Sequence, residues 1–326
     1  MAPWSLRAVD HGQWQQHWQA AHSCTLTQSW EYGSAMAQRR LCRCDRLAIL
    51  DQEGVVRGLM QCLRWSLPWL GGVVRINRGP VCCGSEWTLT EQDSFLLALR
   101  QLARQRRYRA LFISLPWPDE PKLPVLLQKH GFVLRQNKAA WASHRLDLHQ
   151  DEDFLRAQLA GKWRNLLRKS ERQAVHVHGQ SAALCWARFA AFYSQFAQEK
   201  QFVAVDPRLL GCLVRQYSPS WQCHLWTASP ADNPAEWLAV LLSIHHGDSA
   251  TYLIAANREE GRRLLCNYRL LWQAICHARN QGVRWFDLGG VNADTPEGIR
   301  HFKNGLNGTP YQWIGSVEFG VFRSFR

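Results

Sequence analysis

Three short segments carry side chains whose types and spacing could do chemistry. The first is GKWRNLLRKSERQAV, residues 161–175. Between positions 156 and 172 it gathers Arg156, Lys162, Arg164, Arg168, Lys169 and Arg172 against a single acid, Glu171. Read as a helix, the stretch places Leu155, Leu159, Trp163 and Leu166 on one face. Arg164, Arg168 and Arg172 then fall at i, i+4 and i+8 on another. Almost no acidic partner stands four residues away to neutralise them, so the row reads as a rail for phosphates, with a solvated helix face as the competing reading. The second segment is VRWFDLGG, residues 283–290, an apolar strand ending in Asp287 and a Gly-Gly step. Strand carboxyl ends are where α/β sheets place ligands, and Gly289 and Gly290 let backbone approach a substrate closely. The plainer alternative is a turn in which Asp287 caps neighbouring amides. The third segment is HFKNGLNG, residues 301–308, with Lys303 in the last turn of a short helix opened by Pro296. Its cation suits the helix dipole there, and it could equally serve a phosphate or a developing oxyanion.

Weaker candidates stand beside these. His245 and His246 end an apolar strand, where one could accept a proton, although a hydrogen-bonded structural histidine is the simpler reading. Arg258-Glu259-Glu260-Gly261-Arg262-Arg263 precedes a helix, where an anion could bind, but it lacks the second glycine of an acyl-CoA pyrophosphate loop. No strand runs into GxGxxG or GxxxxGK[ST], and no Ser-His-Asp or Cys-His pairing follows from spacing. Spacing also yields no set of metal ligands, so the expected metal is none.

The elements that must position these groups follow a repeated order. In the first half, a helix over about 11–20 precedes a hairpin, 45–50 and 55–63. A strand at 73–77, a helix at 91–107, a strand at 110–115, a helix at 121–130 and strands near 131–135 and 141–148 complete it. The second half has helices at 181–200 and 206–217 and strands at 221–228, 237–245 and 249–256. A long helix at 262–281, a strand at 283–288 and a last strand at 311–318 follow. Hairpins leading into βαβ crossovers predict a mixed α/β sheet in each half rather than a Rossmann chain.

Composition bounds the function. The 326 residues carry a formal net charge of +13, which points to a polyanionic partner such as nucleic acid, a phosphorylated substrate or an anionic surface. With 46% hydrophobic residues the chain can bury full cores and is not a disordered polyelectrolyte. The eleven cysteines are odd in number and form no CxxC pair, which fits reduced thiols in a cytoplasmic protein better than a disulfide scaffold. No stretch has the length and apolarity of a membrane span, so no integral membrane segment is expected.

Taken in order, the basic GKWRNLLRKSERQAV segment, the helix NYRLLWQAICHARNQG, FDLGG and FKNGLNG resemble the Fem-type (FemX-like) aminoacyltransferases. QSWEYG near the start, Asn-Arg-Gly-Pro at 77–80 and WASHRLDL before the basic segment add to the likeness. The resemblance implies two GNAT-like domains in one chain, 1–149 and 150–314, with residues 315–326 returning to the first. It implies amide formation, in which an amine acceptor, a small molecule or peptide, attacks the ester of an aminoacyl-tRNA, in peptidoglycan-precursor or natural-product assembly. No cofactor beyond that co-substrate is implied. Lys303 matches a family lysine at the reacting centre, and Asp287 would orient the amine or accept from it. Arg208, in DPRLL, matches a family arginine that binds acceptor phosphates. Gly289, Gly290 and Phe302 would join it in substrate binding, with Lys162, Arg164, Arg168, Lys169 and Arg172 on the tRNA. A first-domain family lysine that would fall near Ala35–Met36 has no counterpart, which leaves the acceptor open. Two other readings compete: an acyl-CoA-dependent N-acyltransferase, and a non-catalytic module that binds RNA or a partner. A monomer is expected.

Overall fold

The computed structural model describes residues 4–40, 42–67, 71–135, 140–202 and 204–320. It divides into two compact units, Met1–Ala142 with Gln312–Arg326, and Ser143–Tyr311. Each is a mixed α/β layer structure built on one sheet, as the expected fold class requires.

In the first unit the elements are β1 (Ser5–Ala8), α1 (His11–Trp18), α2 (Trp30–Arg40), β2 (Arg43–Leu50), β3 (Val56–Leu67), β4 (Gly71–Asn77), β5 (Val81–Cys82), α3 (Leu89–Gln105), β6 (Tyr108–Ser114), α4 (Leu123–Lys129) and β7 (Val133–Leu134). The second holds β8 (Ala142–Asp147), α5 (Glu152–Gln158), α6 (Gly161–Glu171), β9 (Val175–Ser181), α7 (Trp186–Lys200), α8 (Pro207–Val214), β10 (Trp221–Pro230), β11 (Ala239–His246) and β12 (Ser249–Asn257). It continues through α9 (Glu259–Arg263), α10 (Cys266–Asn280), β13 (Trp285–Asp287), α11 (Glu297–Asn304) and β14 (Thr309–Gln312), before β15 (Ser316–Gly320).

The first sheet runs β1-β2-β3-β4-β6-β15-β7, with β5 on β3, and its parallel pair is β4–β6. Helix α3 makes that crossover. A capping box between Thr88 and Glu91 starts it, and Phe95, Leu96, Leu99, Leu102 and Ala103 lie buried along one face at helical spacing. The second sheet runs β14-β8-β13-β12-β11-β10-β9, with β12–β13 parallel and α9 and α10 forming the crossover. All eight residues of β11 are buried, as a central strand covered on both faces demands.

Several expectations are corrected. The division falls at 142/143, not near 150, because β8 pairs with β13 through Asp287↔Arg145 and so belongs to the second sheet. The expected last strand at 311–318 is two strands in different sheets: β14 lies beside β8, while β15 pairs with β6 and β7. The remaining tail, 321–326, lies outside the described residues. The long helix at 262–281 breaks at Leu265, whose φ of 59° is left-handed. Strands β1 and β9 and helix α2 were not expected: β1 and α2 mix polar and apolar types without a clear period, and the alternation of β9 lasts only from Val175 to His178. The basic segment is also not one helix from residue 155: Leu159 and Ala160 are extended and separate α5 from α6. The buried face of α6 is accordingly Trp163, Leu167 and Ser170, with Leu166 only half-buried.

This register makes a prediction. Leu167→Ala should cost about 2–5 kcal/mol of stability, the usual penalty for emptying a buried leucine site, and Leu166→Ala clearly less. Urea denaturation of the two variants measures the difference; equal losses would reject the register.

Candidate functional site

Asp287, Lys303 and the Gly-Gly step come together at the carboxyl end of β13. Gly289 and Gly290 follow the strand with φ of 66° and 63°, a left-handed pair that ends it and turns the chain. A side chain at Gly289 would also meet the Tyr252 carbonyl oxygen at 2.2 Å, so only glycine fits there. The turn exposes two backbone carbonyls, and the Lys303 Nζ donates to both, Gly289 O and Gly290 O, the latter at 2.9 Å. Lys303 is only 6% exposed. Burial pushes its ammonium down to about 8, and the nearby Asp287 charge opposes that shift only in part. The Tyr252 ring lies 5.2 Å from Nζ and adds a cation–π contact. Two of the three N–H bonds of the ammonium are thus committed, leaving one for a ligand oxygen.

Asp287 is anchored rather than open. Its Oδ1 accepts from the Gly289 amide at 2.6 Å and from Ser143 Oγ at 2.9 Å, and its Oδ2 accepts from the Tyr311 hydroxyl. The geometry gives it the role of fixing the Gly-Gly turn. Leu288 N donates to His144 O and ties the turn to β8. The His144 imidazole is pushed below its ordinary value, first by burial, then by the Lys303 charge and against the pull of Asp287. Its Nδ1 is buried without a hydrogen-bond partner. Ser143, His144, Tyr252 and Tyr311 were missed in the sequence. Each sits in an ordinary-looking strand, and only pairing with β13 reveals its place.

The basic helix is fastened to the helix that carries Lys303. Trp163 Nε1 donates to Phe302 O at 3.0 Å, and the Trp163 ring packs against Phe302 and Tyr268 with centroids 5.9 and 5.0 Å away. Gly305 lies under that indole, where a Cβ would sit 2.6 Å from Trp163 Cδ1. Ala160 N donates to Gly305 O at 3.0 Å, and Asn307 Nδ2 to Gln158 O at 2.8 Å, so both ends of the α5–α6 corner grip the end of α11. Ser170 Oγ, donating to Leu265 O at 2.9 Å, holds the other end of α6. Arg164, Arg168 and Arg172, with Arg156 and Glu171, line an open depression of about 470 Å³. Arg164 also reaches Ala157 O at 2.8 Å, and Arg156 pairs with Glu171. Lys162 and Lys169 are exposed and do not line that depression. The row of three arginines spans about 12 Å at 1.5 Å rise per residue.

Other expected residues lie apart from this centre. Phe302 packs into the aromatic cluster with Trp163 and Tyr268, which makes its ring a spacer within the core. Arg208 is exposed in the first turn of α8, whose Leu213 carbonyl accepts from Trp221 Nε1 on β10. That places it on the sheet face of Asp287 but beside a strand three positions away. Gly261 packs against the Leu238 carbonyl, and Arg262 binds Asn257 O, so the Arg258–Arg263 segment is engaged in holding α9 to the sheet. Ala35 and Met36, where the family lysine would fall, are buried in α2. A larger depression of about 810 Å³ lies in the first unit, lined by Arg100, Arg104, Arg107, Arg109, Lys129 and His130 among others, and contains none of the expected residues. No helix among the described residues is long and apolar enough to cross a membrane. Strands β10 and β11 and helix α10 also bring His224, His245 and His277 together, at sequence separations that spacing cannot connect.

Comparison with known proteins agrees with this architecture. The FemAB family model matches residues 226–324, the stretch that contains β11–β13, Lys303 and the return to the first sheet. Among solved structures, FemX superposes with a TM-score of 0.77 at 14% identity, covering 97% of each chain. A tandem GNAT protein from the clavulanic acid biosynthesis pathway gives 0.55 at 14% identity, covering 99% of each chain. L-PGS from Bacillus licheniformis gives 0.55 at 12%, covering 98% of this chain and 94% of that one. No curated protein matches. The fold is therefore two GNAT-like domains in one chain, similar to those of FemX and the tandem GNAT protein. Within it, the FemAB signature falls on the second unit and on the strand that closes the first.

A prediction follows for the turn. Gly289→Ala, which forces a left-handed alanine against the Tyr252 carbonyl, should lose about 1–3 kcal/mol of stability. Thermal melting tests it, and an unchanged melting temperature would show that the turn tolerates a side chain.

Proposed function

We propose that the protein is an aminoacyltransferase that moves an amino acid from aminoacyl-tRNA to an amine acceptor, in peptidoglycan-precursor or natural-product assembly. The observation that carries this reading is the joint between the cationic helix and the Lys303 helix. Phosphates seated along Arg164, Arg168 and Arg172 would run toward the end of α11, where a buried ammonium waits with one N–H uncommitted. An acyl ester is already activated, so positioning, a proton acceptor and oxyanion stabilisation suffice.

In this reading the amine lone pair attacks the ester carbonyl, and the Lys303 ammonium stabilises the oxyanion or the adjacent phosphate. The tetrahedral centre collapses by expelling the ribose oxygen. The proton lost by the amine passes to His144, whose burial keeps it neutral at physiological pH, and then to the leaving oxygen. Asp287, Ser143 and Tyr311 hold the turn that presents Lys303. Arg208 is proposed to meet the acceptor.

Single-turnover transfer from charged tRNA to candidate amines tests the reading. Lys303→Ala should slow it by about 10²-fold, and an effect within about threefold would remove Lys303 from the centre. The protonated lysine is the working form and its folded value lies near 8, so the rate should fall as pH rises through about 8. Lys303→Arg should carry the alkaline limb upward. Charge reversal at Arg164 and Arg168 should weaken tRNA binding and flatten its salt slope by about one for each phosphate no longer neutralised. Inertness toward every charged tRNA, with thermal stabilisation by CoA alone, would transfer the assignment to an acyl-CoA enzyme.

A further inference from the structure

We infer that His224, His245 and His277 form a binding site for one divalent transition-metal ion of the zinc type. The three side chains come from β10, β11 and the last turn of α10. One ring nitrogen from each lies within 4.8 Å of the others. His224 Nδ1, His245 Nε2 and His277 Nε2 are all buried and lack any hydrogen-bond partner. Leaving three imidazole nitrogens unsatisfied in one place is costly, and His245 as a whole is only 6% exposed. A shared ligand satisfies all three at once.

The surroundings do not supply a substitute. Trp226 stacks edge-on against His277 at 5.3 Å, but its own Nε1 donates to Ser243 Oγ. His246 points to the other face of the sheet, where its Nε2 meets Thr251 Oγ1 at 2.8 Å. Burial, and then mutual repulsion, holds His224 down to about 4 and His245 to about 3, while burial lowers His277. The rings are therefore neutral at pH 7, the form that binds a metal. Imidazole donors suit zinc, nickel, copper and cobalt rather than magnesium or calcium. In a tetrahedral zinc site the nitrogens stand about 3.4 Å apart, so ligation asks for a closure of roughly 1.5 Å at most, within reach of side-chain rotation. Three protein nitrogens leave a fourth position for water.

The site shares no residue with the acyl-transfer centre: its ligands come from β10, β11 and α10, whereas Lys303 is held by Gly289 and Gly290 beyond the end of β13 and by Tyr252 of β12. An ion here would pin the end of the crossover helix to the two strands beneath it.

The test uses the untagged full chain, stripped with a chelator and titrated with Zn²⁺ against a chromophoric competitor. One equivalent should bind and raise the melting temperature, and Co²⁺ should give the visible absorption of a four-coordinate site. His245→Ala should abolish the equivalent. Should that variant fail to fold, His277→Gln, at the half-exposed helix end, should lower the affinity by an order of magnitude or more. His176→Ala, at an exposed histidine of β9, should change nothing. Less than one equivalent bound, or binding that survives the His277 substitution, or loss of binding in the His176 variant, would each overturn the assignment. Because these readouts involve no tRNA, they stand or fall independently of the aminoacyltransferase reading.

Discussion

A buried ammonium held by two backbone carbonyls is the interaction on which the second unit depends. Lys303 has no carboxylate within bonding distance among its described contacts; its charge is met by the oxygens of Gly289 and Gly290 and by the face of Tyr252. Such an arrangement solvates the cation incompletely, which is why burial moves its proton affinity so far. It also requires the carbonyls to converge, and convergence requires the left-handed turn. Asp287 supplies the counterforce from within the turn by binding the Gly289 amide, while Ser143 and Tyr311 lock the carboxylate. Four strands or strand ends therefore meet at one lysine, and the chemistry available there is electrostatic.

The basic helix gains its meaning from the same construction. Taken alone, α6 is a cationic surface helix of a common kind. Trp163 converts it into an extension of the Lys303 helix, because its indole both bonds the Phe302 carbonyl and fills the space over Gly305. The two halves of the chain also share a plan in which a helix-bearing crossover creates a parallel pair, β4–β6 in one and β12–β13 in the other.

Much of this was legible in the residues. The apolar period of α3, the strands β10 to β12 and the FDLGG end of β13 follow from local pattern, because each element buries one well-marked face or is buried outright. Lys303 and Asp287 were legible as types at a strand end and a helix end. Their geometry was not: that Asp287 is anchored depends on Ser143 and Tyr311, which are 144 and 24 residues away. The same holds for the histidines of β10, β11 and α10, which only sheet register and helix docking unite. Leu159 and Ala160 misled for another reason. Both are acceptable helix residues, and their extended backbone is imposed by the bonds of the corner to Gly305 and Asn307, a tertiary effect that local propensity does not encode.

The sheet order has a temporal consequence. Strand β15, which separates β6 from β7, is the last described strand of the chain, while everything needed for the second sheet precedes it. The first sheet therefore cannot close until residues 316–320 are made, after every strand of the second, and until then β6 carries an open edge with unpaired amides and carbonyls. Nascent chains of this protein are accordingly most vulnerable to misassociation through their earliest-made sheet, and β15 acts as its seal.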